Sequence, residues 1–159
     1  KLEAESLDAE KLINQTLELA SNQIKLAGIK VRGEIQPDLP RIYGDGQQLI
    51  QVFLNIILNA VAAMPHGGEL TITIQNTKDR EYVAIRFTDT GPGIPEHKQA
   101  EIFDPFYTTR PAGKGTGLGL SVSLGIIQKH GGEIKVASQV NKGTTFTVLL
   151  PATKIPAEI

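Results

Sequence analysis

A chain containing GQQLIQVFLNIILNAVAAM, residues 46 to 64, has to bury a long helix and still satisfy two amides within it. Asn55 and Asn59 stand among Phe53, Leu54, Ile56, Ile57 and Leu58. A buried amide left without partners costs about 1–3 kcal/mol. Asp45 supplies an N-cap and PHGG a stop. At helical spacing Gln48, Gln51 or Val52, Asn55, Asn59 and Ala62 or Ala63 fall near one line, so both amides look out of one face. A bond to nearby backbone would explain a single asparagine. Two on one face, opposite an apolar stripe, indicate a lined cavity. An asparagine side-chain carbonyl is also an oxygen donor suited to Mg²⁺. The helix therefore needs an apolar layer on one side and a polar cavity on the other.

The remainder of the chain can supply that layer. Asp8 caps a helix expected to run to Gly28, with Leu12, Ile13, Thr16, Leu17, Leu19, Ala20, Ile24 and Ala27 on its apolar stripe. IKVRGEI (29–35), ELTITIQ (69–75), YVAIRFTD (82–89), EIKVASQ (133–139) and TTFTVLLP (144–151) read as strands, the middle and last pairs as hairpins. The prolines of PDLPRIYG fit an edge or a turn. GLGLSVSLGIIQKH (117–130) is a third helix, with Lys129 and His130 as cations in its last turn. Three helices on a mixed, mostly antiparallel sheet of about five strands make an α+β chain, a two-layer α/β sandwich. At 159 residues one domain is expected. The net charge of −1 argues against a nucleic-acid coat or a polybasic membrane patch. Without cysteine, disulfide and thiolate chemistry are excluded. No apolar run approaches the roughly 18 residues that span a bilayer.

Two further stretches carry chemistry. In FTDTGPGI, Asp89 ends a strand, and Gly91 and Gly93 follow at once. A turn explains the glycines but not a carboxylate at the end of a buried strand. Ionised aspartate only accepts hydrogen bonds, which suits a ligand with an exocyclic amine such as adenine. The glycines would let a flat ring approach the backbone, with Ile94 as an apolar wall. In GKGTGLGLS, glycines 113, 115, 117 and 119 run directly into a helix, whose N-terminal N–H groups form an anion site. It is neither a Walker loop nor a dinucleotide fingerprint, and the adjoining helix and Lys114 count against a mere linker.

The ordered set NIILNAVAAM, DTGPGI, IFDPFYTTR and GKGTGLGLS resembles the asparagine, first glycine, phenylalanine and second glycine boxes of a known ATP-binding domain. That domain belongs to sensor histidine kinases, within the gyrase, chaperone, kinase and MutL ATPase superfamily. YTTRPAGKGTGLGLSVS with KHGGEI is similar to their nitrogen-regulator branch. The resemblance runs from about residue 30 to Pro151 and implies the Bergerat fold, with a lid over residues 95–116 that nucleotide orders. The implied ATP-binding set takes Asn55, Asn59 and Ala63 from the long helix, and Asp89, Gly91, Gly93 and Ile94 from the strand end. It takes Phe106, Tyr107, Thr108, Thr109 and Arg110 from the lid. Lys114, Gly115, Thr116, Gly117, Leu118, Gly119 and Leu120 come from the glycine loop and the start of its helix. Asn59 would be the Mg²⁺ ligand, Asp89 would hold the adenine amine, Thr144 would support adenine through water, and Phe103 and Phe106 would anchor the lid.

The two amides can now be told apart. In hydrolytic members of the superfamily, the residue one turn before the metal asparagine is a glutamate that activates water. Asn55 occupies that position and cannot take a proton at neutral pH. The resemblance thus implies a site that binds and orients MgATP and hands the γ-phosphoryl group to a nucleophile from elsewhere, a histidine on a separate dimeric helical hairpin. His66, His97 and His130 are read as structural or solvated, so no acid, base or acceptor is assigned within this chain. Residues 1–28 are expected to be the junction and first helix after that hairpin, 29–151 the catalytic core and 152–159 a tail. Beginning at Lys1 rather than Met, the chain reads as an isolated, monomeric catalytic domain. It is expected in the cytoplasm, touching neither membrane nor nucleic acid, although the parent protein is free to be membrane-anchored. Its partners would be the parent's own dimerisation domain and a response regulator. An anti-sigma-like serine kinase or another ATP-regulated binding module is the competing reading, and a hydrolytic ATPase a weaker one. Asn55 counts against both enzymes.

Overall fold

The computed structural model describes residues 3–99, 101–103 and 118–153. Strand β1 (Glu5–Leu7) leads into α1 (Ala9–Leu19) and α2 (Ser21–Ala27), followed by β2 (Ile29–Ile35) and β3 (Ile42–Gly44). Next come α3 (Gly46–Ala63), β4 (Gly68–Asn76), β5 (Tyr82–Asp89) and the one-turn α4 (Glu96–Gln99). Helix α5 (Leu118–Lys129) and the strands β6 (Glu133–Gln139) and β7 (Gly143–Pro151) close the described chain.

The main sheet has the order β2-β4-β5-β7-β6. β2 pairs with β4 in parallel, and the other three pairings are antiparallel. Alternation decides its faces. Leu70, Ile72 and Ile74 of β4, Val83, Ile85 and Phe87 of β5, and Phe146, Val148 and Leu150 of β7 are all buried. They meet Val52, Phe53, Ile56, Ile57 and Ala60 of α3, with the Phe53 and Phe87 rings 5.9 Å apart. Each Val, Leu, Ile or Phe among them contributes about 1.5–3 kcal/mol on burial. The expected two-layer α+β sandwich is what forms. With eighteen residues and a mean hydropathy of 1.3, α3 is long and apolar enough by composition to cross a bilayer, contrary to the expectation for any segment here. Its apolar face instead covers the sheet.

Asp8 caps α1, accepting from Lys11 N at 3.2 Å, and Gly28 ends α2 in the left-handed conformation at φ 72°. The single helix expected between them is two. Thr16 Oγ1 bonds back to Leu12 O at 2.8 Å, a pattern that bends helices, and the poor helix formers Ser21 and Asn22 follow buried Ala20. The break lets Ile24 join the core reached by Leu12 and Ile13. Residues of the 1–28 segment are thus part of one core with the rest.

The β1–β3 pair was not legible beforehand. PDLPRIYG contains a three-residue strand whose Ile42 is fully buried and bridges to Ala152. The stretch expected as a lid also contains α4.

Two polar residues knit the helices together. Asp45 caps α3, with Oδ1 accepting from Gln47 N and Gln48 N and Oδ2 from Glu3 N. Those donors, led by Glu3 and then Gln48, hold its carboxyl below the ordinary value. His130 corrects the sequence reading. It is not a helix-end cation but a buried ring whose Nε2 accepts from Asp45 N at 3.0 Å. That bond requires the tautomer with its proton on Nδ1, directed to Ile126 O at 2.8 Å.

Candidate functional site

The alternation that builds the core continues one step beyond it. On β5 the residue after Phe87 on the helix-facing side is Asp89, and on β7 the residue before Phe146 is Thr144. The two are direct cross-strand partners. Both are buried, at 5% and 6% exposure, where alternation alone would have put apolar side chains.

Asp89 Oδ1 accepts from Gly91 N at 2.8 Å and from Thr144 N at 3.3 Å. Among the described residues no hydrogen bond reaches Oδ2, which is left to accept from a ligand. Burial pushes the carboxyl above its ordinary value, and the two N–H donors only partly oppose this. The turn that follows is closely packed. A Cβ on Gly91 would lie 3.0 Å from Ala63 O, so the C-terminal end of α3 abuts the carboxylate turn. Gly93, at φ 79°, would drive a Cβ to 2.1 Å from Gln139 O. Pro92 O accepts from Asn141 N at 2.7 Å, and Ile94 N donates to Ser138 Oγ at 2.7 Å. The turn is therefore clamped against the β6–β7 hairpin.

Asn55 and Asn59 are both half-buried, two and one turns before Ala63 on α3. Asn55 Nδ2 donates to Ser123 Oγ of α5 at 3.4 Å, a long bond to a fully buried hydroxyl. Among the described residues no three His, Cys, Asp or Glu side chains come together to hold a metal. A cation here would rely on amide, water and phosphate oxygens, as Mg²⁺ commonly does.

The structure thus brings Ala63, Asp89, Gly91, Gly93, Ile94 and Thr144 together beside the end of α3, on the helix that carries Asn55 and Asn59. Leu118 and Gly119 open α5, and Leu120 packs against the core. Phe103 is half-buried, edge-on to Phe146 with ring centroids 6.4 Å apart. Phe106, Tyr107, Thr108, Thr109, Arg110, Lys114, Gly115, Thr116 and Gly117, and with them most of the expected lid, lie outside the described residues. Sequence reasoning missed Ser138 and Ser123. Ser138 had a signal, because it follows Ile134 and Val136 on the inward-facing register of β6.

A buried carboxylate and hydroxyl at paired strand ends of a two-layer sandwich, beside an amide-bearing helix, suit a nucleotide-binding domain. Residues 44–154 match the family described as histidine kinase-, DNA gyrase B-, and HSP90-like ATPase. The chain belongs to that family, as an ATP-binding catalytic domain of the sensor histidine kinase kind. It is 41% identical over 141 residues to sporulation kinase E of Bacillus subtilis, covering 89% of this chain and 19% of that protein. It is 40% identical over 150 residues to the sensor histidine kinase ZraS of Escherichia coli, covering 94% of this chain and 31% of the other. Its fold superposes on the catalytic domain of histidine kinase ThkA with a TM-score of 0.83 at 32% identity, covering 95% and 99% of the two chains. Full-length ShkA in complex with AMPPNP matches with a TM-score of 0.85 at 30% identity, over 96% of this chain and 32% of ShkA. ThkA in complex with the response regulator TrrA matches at 0.81 and 29% identity, over 96% and 42%. The chain spans about a fifth to a third of the length of these curated relatives.

Proposed function

We propose that this domain binds MgATP and presents its γ-phosphoryl group to a histidine on a separate dimerisation domain, from which a response regulator is then phosphorylated. The observation that carries the nucleotide part is the Asp89–Thr144 pair, two buried polar side chains at adjacent strand ends with carboxylate Oδ2 open to a donor. An adenine amine supplies that donor. The ring would lie against Ile94 over Gly91 and Gly93, where a Cβ would be tight at the first and excluded at the second. The ShkA complex with AMPPNP supports an adenine nucleotide on this fold, and the ThkA–TrrA complex supports a response-regulator partner.

The catalytic part rests on Asn55. Its amide is neutral and engaged with Ser123, so it supplies no base for water. Phosphoryl transfer needs positioning and charge stabilisation more than a resident base, so an incoming nucleophile suffices. A serine kinase or a hydrolytic ATPase would need the carboxylate that this position lacks.

Binding is tested by titration calorimetry with MgADP and MgATP, and saturable binding of both is expected. An absence of heat at millimolar nucleotide overturns the reading. Asn59 is assigned as the Mg²⁺ ligand. Asn59→Ala and Asn59→Asp are expected to reduce affinity in Mg²⁺ by about tenfold, the worth of roughly 1.4 kcal/mol, and much less in EDTA. An equal deficit with and without Mg²⁺ removes Asn59 from the metal site.

A further inference from the structure

The inward face of β6 carries Ile134, Val136 and then Ser138, where alternation calls for a third apolar residue. The Ser138 hydroxyl meets three polar groups: Ile94 N at 2.7 Å, Gly143 O at 2.9 Å and Thr144 Oγ1 at 2.8 Å. Their chemistry fixes where the protons lie. A carbonyl can only accept, so the single proton of Ser138 goes to Gly143 O. An amide can only donate, so Ile94 N–H takes one lone pair of Ser138. The other lone pair faces Thr144, whose hydroxyl must then be the donor. With its proton turned towards Ser138, Thr144 keeps only lone pairs for anything bound in the pocket. Its cross-strand partner Asp89 is also acceptor-only when ionised. Further bonds hold the serine in place. Gln99 Nε2 donates to Ser138 O at 3.0 Å and to Ile94 O at 2.9 Å, tying α4 to both residues.

We infer that Ser138 is a positioning residue that determines base specificity. By taking the Thr144 proton it leaves Asp89 Oδ2 and Thr144 Oγ1 both accepting towards the exocyclic 6-position, which matches the two N–H donors of a 6-amino group and opposes the oxygen of a 6-oxo group. Ser138 itself contacts no nucleotide, and the inference rests on the adenine reading of Asp89. Without Ser138, the Thr144 hydroxyl is free to rotate and donate to a 6-oxo group.

The test compares ADP with inosine diphosphate, which replaces the 6-amino group by a carbonyl and places a proton on N1, a change at N1 that is common to all the variants and cancels when their ratios are compared. Dissociation constants for both are measured on the wild type, Ser138→Ala and Ser138→Thr. The wild type is expected to favour ADP. Ser138→Ala should narrow the ADP-to-IDP ratio by about tenfold, the scale of one redirected hydrogen bond. Ser138→Thr, which retains the hydroxyl, should restore the ratio. A role confined to packing the turn would weaken both nucleotides equally, so an unchanged ratio in Ser138→Ala overturns this inference and leaves the adenine reading intact. A wild type that fails to discriminate between the two overturns both. Should Ser138→Ala melt below the assay temperature, the near-isosteric Ser138→Cys gives the same comparison, because its sulfur is only a weak acceptor.

Discussion

Asp89→Asn is expected to weaken ATP and ADP binding by about 10- to 100-fold while raising the melting temperature of the nucleotide-free domain. The loss follows from removing one charge-assisted hydrogen bond, worth about 1.5–3 kcal/mol. GTP should bind poorly to both forms. The gain in stability has the opposite origin. Burial raises the Asp89 carboxyl above its ordinary value, so the folded state holds that proton more tightly than the unfolded chain does. The ionised form therefore opposes folding above the raised value, and stability returns as pH falls from there towards the ordinary carboxylate range. Asparagine keeps the acceptor that faces Gly91 N and Thr144 N and carries no charge to bury. Nucleotide affinity should run the other way in the wild type, falling as acidification protonates Asp89. Calorimetric titration and thermal melting across pH check both arms. Unchanged ATP affinity in a folded Asp89→Asn variant sinks the pocket assignment.

The second large effect is a division of labour. Alone, this domain is expected to bind ATP, hydrolyse it very slowly and incorporate no phosphate from γ-labelled ATP. Mixed with the dimerisation hairpin of its own parent protein, it should transfer the label to a histidine there, giving an acid-labile, base-stable product. Asn55 is the reason for the first half, because an amide bonded to Ser123 cannot deprotonate water. None of the three histidines of the chain is expected to be the acceptor. His130 is buried with both ring nitrogens engaged, His66 follows α3 in a turn, and His97 lies on the one-turn α4. Rapid turnover by the isolated domain, or a label on serine, contradicts the histidine-kinase reading.

What could be read from the sequence was what is local. Period-two alternation marked every strand of the main sheet, and Asp8, Asp45 and Gly28 marked helix ends through bonds to residues a few positions away. Asp89 was visible because a carboxylate broke an apolar run. The features that escaped depend on partners far along the chain. β3 is a strand because β1 lies beside it and Ala152 bridges to it, and its three residues are too few to show alternation. His130 looked like a terminal cation because Asp45 N, 85 residues away, could not be foreseen. Ser138 read as an ordinary polar strand residue until Ile94 and Thr144 closed around it. The helix break at Ala20 reflects tertiary packing that overrides a continuous stripe.

The stitching around β3 gives the domain a polarity. Arg41 binds Ser6, Glu3 N reaches Asp45, and Thr153 N reaches Arg41 O, so both extremes of the described chain converge at the N-terminal end of α3. Asp89 and Gly91 lie at the other end of that eighteen-residue helix, about 27 Å away at 1.5 Å per residue. Any segment joined at either extreme would hold the domain by its base and leave the proposed nucleotide site facing outwards, like a cup gripped by its foot.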